Sequence, residues 1–496
     1  MKINNIKKKY FENFLRRWDR ILLSSFILIY AITFSTLSIL RHNAFASNYD
    51  LANMSQTVWN TLNGRPFSLS GAEGTISRFS IHADLILILI SPLYLIWERA
   101  MTLLVAQSFF LALGAVPVYF LTKKVLENSV SGVYLKIISL CLVVIYLLNP
   151  TMQWVNIYDF HGVALAVPFL LFTFYFAYIK RWKLFLFFAF LSMTTKEVSL
   201  SIAMLGLVIV FVFKEKVIGI SAFILGILWF LLMIFFVMPY FSTNGEHWGL
   251  NNLYSPAIQK FTEIRSLTQF LDVLRGYFLI PSSLEYYSSL LKPFSYMPLI
   301  GFPWLILSLP EIAINLFSSN FQMRTTTFHY GSAIIPSLVI STIFGLKYLM
   351  KFIVSLKLLR QYKNYIFIIT ILFMVFVSVR INYHYSPLPT TPSCWCYSYQ
   401  VKPEDREFAE VLSKIPKNAS VTSSGEVRPH IARRENSFTL PGHVEDADYV
   451  AIIDENRIVG DHLPKEFENS LLKDQRFLQT HDKIYHVGHY YLFKKK

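Results

Sequence analysis

Residues 21–40 read ILLSSFILIYAITFSTLSIL, twenty residues without a charge. A run of that length is what a helix needs to cross the hydrocarbon core of a bilayer. In front of it stands a basic leader, residues 1–20, carrying Lys7, Lys8, Lys9, Arg16, Arg17 and Arg20, which is the flank that stays in the cytoplasm. A cleaved signal peptide is the competing reading. The apolar run is too long for it, and Arg41-His42 does not resemble a small-residue cleavage site. Residues 21–40 therefore read as a first span with its N-terminus inside, and Asp50 as the first acidic residue beyond it.

Composition extends this reading to the whole chain. Of 496 residues 54% are hydrophobic, 16% aromatic and only 16% charged, too little charge to solvate that much apolar surface. The sequence predicts a polytopic membrane protein. Its net charge of +15 raises the question of nucleic acid, and position answers it. From residue 380 to the end there are 16 Lys+Arg and 16 Asp+Glu, which leaves 30 against 15 before it. The whole excess lies among the spans, as positive cytoplasmic loops and anionic headgroups require, so no nucleic-acid partner is expected. Three cysteines exclude a disulfide-built scaffold, and Cys394 and Cys396 stand too close in sequence for a bridge to be assumed.

Outward from the first span, residues 85–97 are apolar but short and read as an interfacial helix, while 101–121 are long enough to cross and end at Lys123-Lys124. Further runs at 137–154, 162–179, 184–195, 198–213 and 217–241 alternate with basic turns at Lys180-Arg181 and at Lys214 and Lys216. That alternation puts Lys196-Glu197 at the outer tip of two short spans, in a recess. Residues 242–292 show no clear span yet must return the chain to the cytoplasm once. Residues 294–317 are interrupted by Pro298, Pro303 and Pro310, and 331–346 and 365–379 complete the set. The fold class expected is an all-α polytopic membrane protein of about 9–11 spans, with a small C-terminal α/β soluble domain. The divisions are 1–20 as leader, 21–379 as membrane domain with an external loop and interfacial helix at 41–98, and 380–496 as external domain. That last part opens on the linker SPLPTTPSCW, continues with a helix over 403–414, and holds short buried strands at 419–422 and 449–453.

The connection from residue 48 to 84 concentrates Asp50, Gln56, Trp59, Arg78, His82 and Asp84 between apolar segments, where ionisable groups are costly without a purpose. Asp50 fits a general base, and its alternative is a cap on the helix that begins near Leu51. Lys196, Arg78 and Arg324 fall on the outer side and suit a departing phosphate. Lys196 is otherwise neutralised by Glu197 or reaches for the surface. His82 with Asp84, and Asp159 with His161, are two acid-imidazole pairs that together offer ligands for a divalent ion. At i to i+2 spacing they share a direction only on an extended segment, and ordinary hydrogen bonding is the other account. Glu311 and Asn315, four apart, line a cavity or join two helices.

The ordered series NYDLANMSQTVWNTLNGRPF, SRFSIHAD, LNPTMQWVNIYDFHGVALAVPFL, TKEVSL, LPEIAINLFSS and FHYGSAIIP, with a tail containing IPKNASV, RPHIARR and DADYVAI, resembles a prokaryotic family of predicted membrane proteins classified as a domain of unknown function. That family is similar in turn to GT-C-type glycosyltransferases, polytopic enzymes that take a sugar from a polyprenyl-phosphate donor. The second likeness rests on an acidic residue after span one, an external interfacial helix and a Thr-Lys tip between short spans. It implies a GT-C-like arrangement in the cell envelope and transfer of a sugar to an acceptor hydroxyl on the outer face. Asp50 would be catalytic, and Gln56, Trp59, Arg78, Lys196, Glu197, Glu311, Arg324 and His329 would bind substrate. His82, Asp84, Asp159 and His161 form the optional metal set. Polyprenyl-phosphate-linked sugar and membrane lipids are the partners. A transporter or flippase, and a non-catalytic assembly protein, are the alternatives. The first is disfavoured by the lack of an inverted repeat, the second by Lys196-Glu197 between apolar runs.

Overall fold

The computed structural model describes residues 2–71, 74–455 and 465–496. The side chains of Lys7, Lys8, Lys9 and Arg16 in the leader lie outside what is described, as does Met1. Leader and first span form one helix, α1 (Lys2–Asn43), apolar enough to cross from Arg17 to Asn43. The chain then inverts through Phe45, held at φ 54°, and enters α2 (Tyr49–Leu62) behind the N-cap Asn48. A two-stranded hairpin follows, β1 (Ser68–Gly71) with β2 (Gly74–Ser77).

Among the described residues five helices are long and apolar enough to cross a membrane: Arg17–Asn43, Met101–Leu126, Lys216–Phe241, Ile335–Ser355 and Arg360–Tyr385. The pair Gly132–Leu147 and Pro150–Ile157, bent by 48°, makes a sixth. That bend falls where Asn149 caps Met152 N–H and Pro150 cannot donate. The other runs form shorter apolar helices, among them Trp182–Met193 with 12 residues and Ser199–Phe211 with 13. The segment expected at the interface is helical over Ile86–Ile96, broken at Pro92, and shows Leu95 and Ile96 to the surroundings.

The return crossing expected between residues 242 and 292 is not a single span. The chain there forms Ser255–Thr262, Leu267–Phe278 and Pro281–Leu291, none apolar enough to cross, and continues in short pieces to Phe317. Pro293, Pro298, Pro303 and Pro310 each start a new piece, because a proline supplies no N–H to continue the ladder. The pieces are carried by close backbone approach: a Cβ on Gly301 would lie 2.0 Å from Ser341 O on the helix Ile335–Ser355. The same device joins Ser199–Phe211 to Lys216–Leu232, where a Cβ on Gly206 would meet Phe223 N at 2.5 Å and Gly219 O at 2.6 Å.

The C-terminal part is α/β as expected. Its sheet has the order β4-β3-β5-β7-β6, with β3 (Val421–Ser423), β4 (Ser437–Thr439) and β5 (Tyr449–Ile453) parallel and β6 (His481–Val487) and β7 (Tyr490–Lys495) antiparallel. The helix Pro403–Ser413 lays Phe408 and Leu412 into its core. That core also contains Phe45, which the chain lends from the turn after α1; its ring stacks on His430 at 3.9 Å. Cys394 and Cys396, left apart in the sequence reading, are joined as a disulfide. Trp395 between them packs against Trp154 and under the Arg41 guanidinium.

Candidate active site

Two buried ion pairs build the site. At the end of α1, Arg41 is 1% exposed and its guanidinium donates to Asp159 Oδ1 at 2.6 Å and to Ile157 O at 3.0 Å. The second oxygen of Asp159 accepts the Asn48 N–H at 2.7 Å, so this carboxylate fixes the start of α2. Asp50 is therefore not the helix cap. It sits in the first turn, a quarter exposed, with Oδ2 3.4 Å from His161 Nε2. An ionised carboxylate only accepts, so that nitrogen carries the proton. Gln107 holds the loop that presents His161, accepting its N–H at 2.9 Å and donating to Asp159 O at 2.7 Å. His329 stacks on the other face of the imidazole, with centroids 3.8 Å apart.

The second pair is Arg78 with Asp84, at 2.7 Å and 2.5 Å. It folds residues 78–86 against the turn between Trp182–Met193 and Ser199–Phe211. Ile86 N–H donates to Thr194 O at 2.8 Å, and Glu197 takes the Ala83 N–H at 3.0 Å with His82 Nδ1 at 3.4 Å. Lys196 and Arg324 are partly buried and, among the described residues, have no carboxylate within ion-pair distance. Lys196 still lies in the field of Glu197, Glu311 and His329, and Asp50 in that of Arg78 and His82. The loop after α1, the turn at 194–198 and the segment around His329 thus meet in one charged cluster.

Its electrostatics follow from burial set against partners. Burial works to raise the Asp50 carboxyl, but His161, Arg78 and His82 outweigh it and hold the group below its ordinary value. Glu197 is likewise pushed up by burial and pulled further down by His82, Lys196 and the Ala83 N–H. Burial, then His161 and Lys196, drive His329 well below the usual imidazole range, so it stays neutral.

Several expected residues stand elsewhere. Gln56 is fully buried and spends its amide on Ser70 Oγ and on Arg434 O and Glu435 O of the tail. Trp59 donates to Glu98 at 3.2 Å. Asn315 donates to Tyr286 OH and Tyr330 O, joining helical segments. Of the optional metal set, Asp84 is bound to Arg78 and Asp159 to Arg41, while His82 faces Glu197 and His161 faces Asp50. Among the described residues no three His, Cys, Asp or Glu side chains are arranged to hold a metal ion. A small apolar cavity of about 20 Å³ lies apart from the cluster, between Phe174, Leu205, Leu307 and Ile340. Sequence reasoning did not find Arg41, Gln107 or Arg428 as builders of this region. Arg41, a lone cation closing an apolar run, carried a signal, since such a charge needs a buried partner.

The family described as "Predicted membrane protein (DUF2079)" matches residues 41–490. No curated protein matches. Among solved structures the chain is similar to ArnT from Cupriavidus metallidurans in the apo state, at 10% identity, covering 93% of this chain and 97% of that one, with a TM-score of 0.43.

Proposed function

We propose, for a chain that belongs to the DUF2079 family of predicted membrane proteins, that it is a membrane glycosyltransferase moving a sugar from a polyprenyl-phosphate donor to an acceptor hydroxyl on the outer face. The observation that carries this reading is the Asp50–His161 pair in the charged cluster that Lys196 joins through its field on His82, Glu197 and His329. A carboxylate kept ionised by an imidazole N–H is suited to accept a proton. A cation with no carboxylate within ion-pair distance among the described residues is suited to a phosphate.

In the proposed step Asp50 takes the proton of the acceptor hydroxyl while that oxygen bonds the anomeric carbon. The bond from this carbon to the phosphate oxygen breaks, and the lipid phosphate leaves with the bonding pair, its charge met by Lys196 and Arg324. His161 keeps Asp50 oriented, and neutral His329 covers the imidazole. No step runs through a metal, since Asp84 and Asp159 are committed to arginines.

The outer-face orientation rests on the basic turns at Lys123-Lys124, Lys180-Arg181 and Lys214, which would stay in the cytoplasm. The Cys394–Cys396 disulfide, which persists in an oxidising compartment, agrees with this. In this arrangement residues 21–379 form the membrane domain and 380–496 an external domain seated on it. A cysteine at Ser470 would react with an impermeant reagent in intact cells; reaction only after permeabilisation would reverse the orientation. The functional test offers purified protein labelled polyprenyl-phosphate sugars and follows release of the lipid phosphate. Asp50→Asn should cut turnover by roughly 10²- to 10⁴-fold with the fold intact. Unchanged turnover would remove Asp50 as base, and absence of donor binding across a broad panel would remove the activity.

A further inference from the structure

Arg428 belongs to the tail, yet its guanidinium is buried to 1% exposure inside the seat that α2 and β1 provide. Its Nε donates to Ser437 O at 3.0 Å. One terminal nitrogen donates to Asn53 Oδ1 at 2.6 Å, and the other to Gln56 Oε1 at 2.9 Å and to Ser70 O. No carboxylate pairs with it among the described residues. A buried cation satisfied only by neutral acceptors is costly to keep for adhesion alone. Its acceptors are informative: Asn53 and Gln56 stand three and six residues beyond Asp50 on the same helix. Gly425, at the turn leading to Arg428, packs so close that a Cβ there would lie 3.0 Å from Asn48 Oδ1, the N-cap of that helix.

We propose that Arg428 is a positioning residue for Asp50: by gripping Asn53 and Gln56, the tail fixes the rotation of α2 about its axis and so the reach of Asp50 to His161. The start of α2 is already pinned through Asn48 and Asp159. Further along, Tyr94 OH holds Ser55 at 2.9 Å on another side of the helix, and Arg428 supplies the hold on the side of Asn53 and Gln56. With a side chain reaching about 6 Å from the axis, a turn of about 10° moves the carboxylate by about 1 Å. That is enough to break a contact that stands at 3.4 Å. The tail is then part of the apparatus that keeps the base ionised, although it supplies no group that touches substrate.

This rests on the reading of Asp50 as base, and the test is chosen to need no substrate. A carbodiimide modifies the protonated carboxyl. The pH midpoint of Asp50 labelling in the full-length protein, followed by peptide mass spectrometry, therefore reports how well His161 holds it. Arg428→Gln should raise the midpoint by roughly one pH unit, because burial remains while the stabilising contact is lost. Arg428→Lys, which keeps the charge but not the fork, should raise it as well. Arg434→Gln is the control: Arg434 is buried in the tail but donates only to Ile431, Pro416 and Ala419 carbonyls, and it should leave the midpoint unchanged. If Arg428→Gln does not fold, Asn53→Ala removes the same tie from the α2 side. An unchanged midpoint in a folded variant, full restoration by lysine, or an equal shift in Arg434→Gln would each overturn the proposal. The expected shifts in Arg428→Gln and Arg428→Lys together with no transfer from any donor would leave this inference standing and strike the enzymatic reading instead.

Discussion

Replacing Phe45 tests whether the tail is a part of the membrane domain or only its neighbour. The ring is wholly buried in the tail core, stacked on His430 at 3.9 Å and within 5.5 Å and 5.7 Å of Phe408 and Tyr490. Phe45→Ala should cost about 3–5 kcal/mol, the range for emptying a buried aromatic site. For a unit of about 100 residues each kcal/mol is worth about 4–8 °C, so the tail should melt roughly 12–40 °C lower. Phe45 also sits at φ 54°, a left-handed conformation that costs a side chain about 1–2 kcal/mol and glycine almost nothing. Phe45→Gly should therefore be up to about 1 kcal/mol less damaging than Phe45→Ala, after allowing for the greater unfolded freedom of glycine. Amide exchange of β3, β5 and β7 in the intact solubilised chain, measured along a thermal ramp, reads both numbers. Tail protection that survives Phe45→Ala, or a glycine variant weaker than the alanine variant, would refute the shared core or the strain respectively.

Three further expectations follow from the same contacts. His161→Ala leaves Asp50 partly buried without its strongest stabilising partner, so the carboxyl rises. The acid limb of the pH–rate profile, below the ordinary value of about 3.9 in the wild type, should move upward; an unmoved limb would separate the two residues. His430 is held neutral by burial and by His42 and Arg433. Its contribution to docking is complete above about 6.5 and declines as the pH falls below that value, because the undocked imidazole gains a proton the docked one refuses. Protection factors of the tail amides, corrected for intrinsic exchange, should thus fall between pH 7.5 and 5, and His430→Phe should flatten the dependence. Gly206→Leu would drive a side chain into backbone at 2.5 Å, and loss of folded protein on size-exclusion chromatography is the expected result.

Much of the site could be read from the sequence where a single cost made residues conspicuous. Asp50 after the first span and Lys196-Glu197 between two apolar runs were legible because charge beside hydrocarbon needs a reason. The pattern also gave β5 over Tyr449–Ile453, where a short apolar run is bounded by polar residues. The partnerships were not legible. Asp159 and His161 stand two apart and suggested one ligand pair, but Asp159 at φ 54° turns the chain and sends them to Arg41 and Asp50. Gln56 read as a binding residue because nothing local reveals that the tail buries it. Arg428 in RPHIARR was not singled out, for the same reason: its acceptors on α2 and β1 lie more than 350 residues away. The count of spans from 242 to 317 was beyond reach because four prolines divide a crossing into pieces too short to have a hydropathy signature of their own.

The two helices that flank Lys196 have 12 and 13 residues, so they rise only about 18–20 Å, against a hydrocarbon core of about 30 Å. Ser199–Phe211 is covered by its neighbours except at Phe211, whereas Trp182–Met193 shows Leu184, Leu186, Phe187 and Phe190 to the surroundings; a bilayer meeting that face would dimple or thin by some 10 Å, at a cost of fractions of a kcal/mol per ångström of mismatch. Host lipid chain length thereby becomes a variable of the protein's energetics. Short-chain bilayers lower the strain around the turn that carries Lys196, whereas thick or sterol-rich ones raise it and favour clustering of copies that share one deformation. The same dent shortens the distance over which a polar headgroup descends to meet that turn, so the membrane itself contributes to the depth of the site.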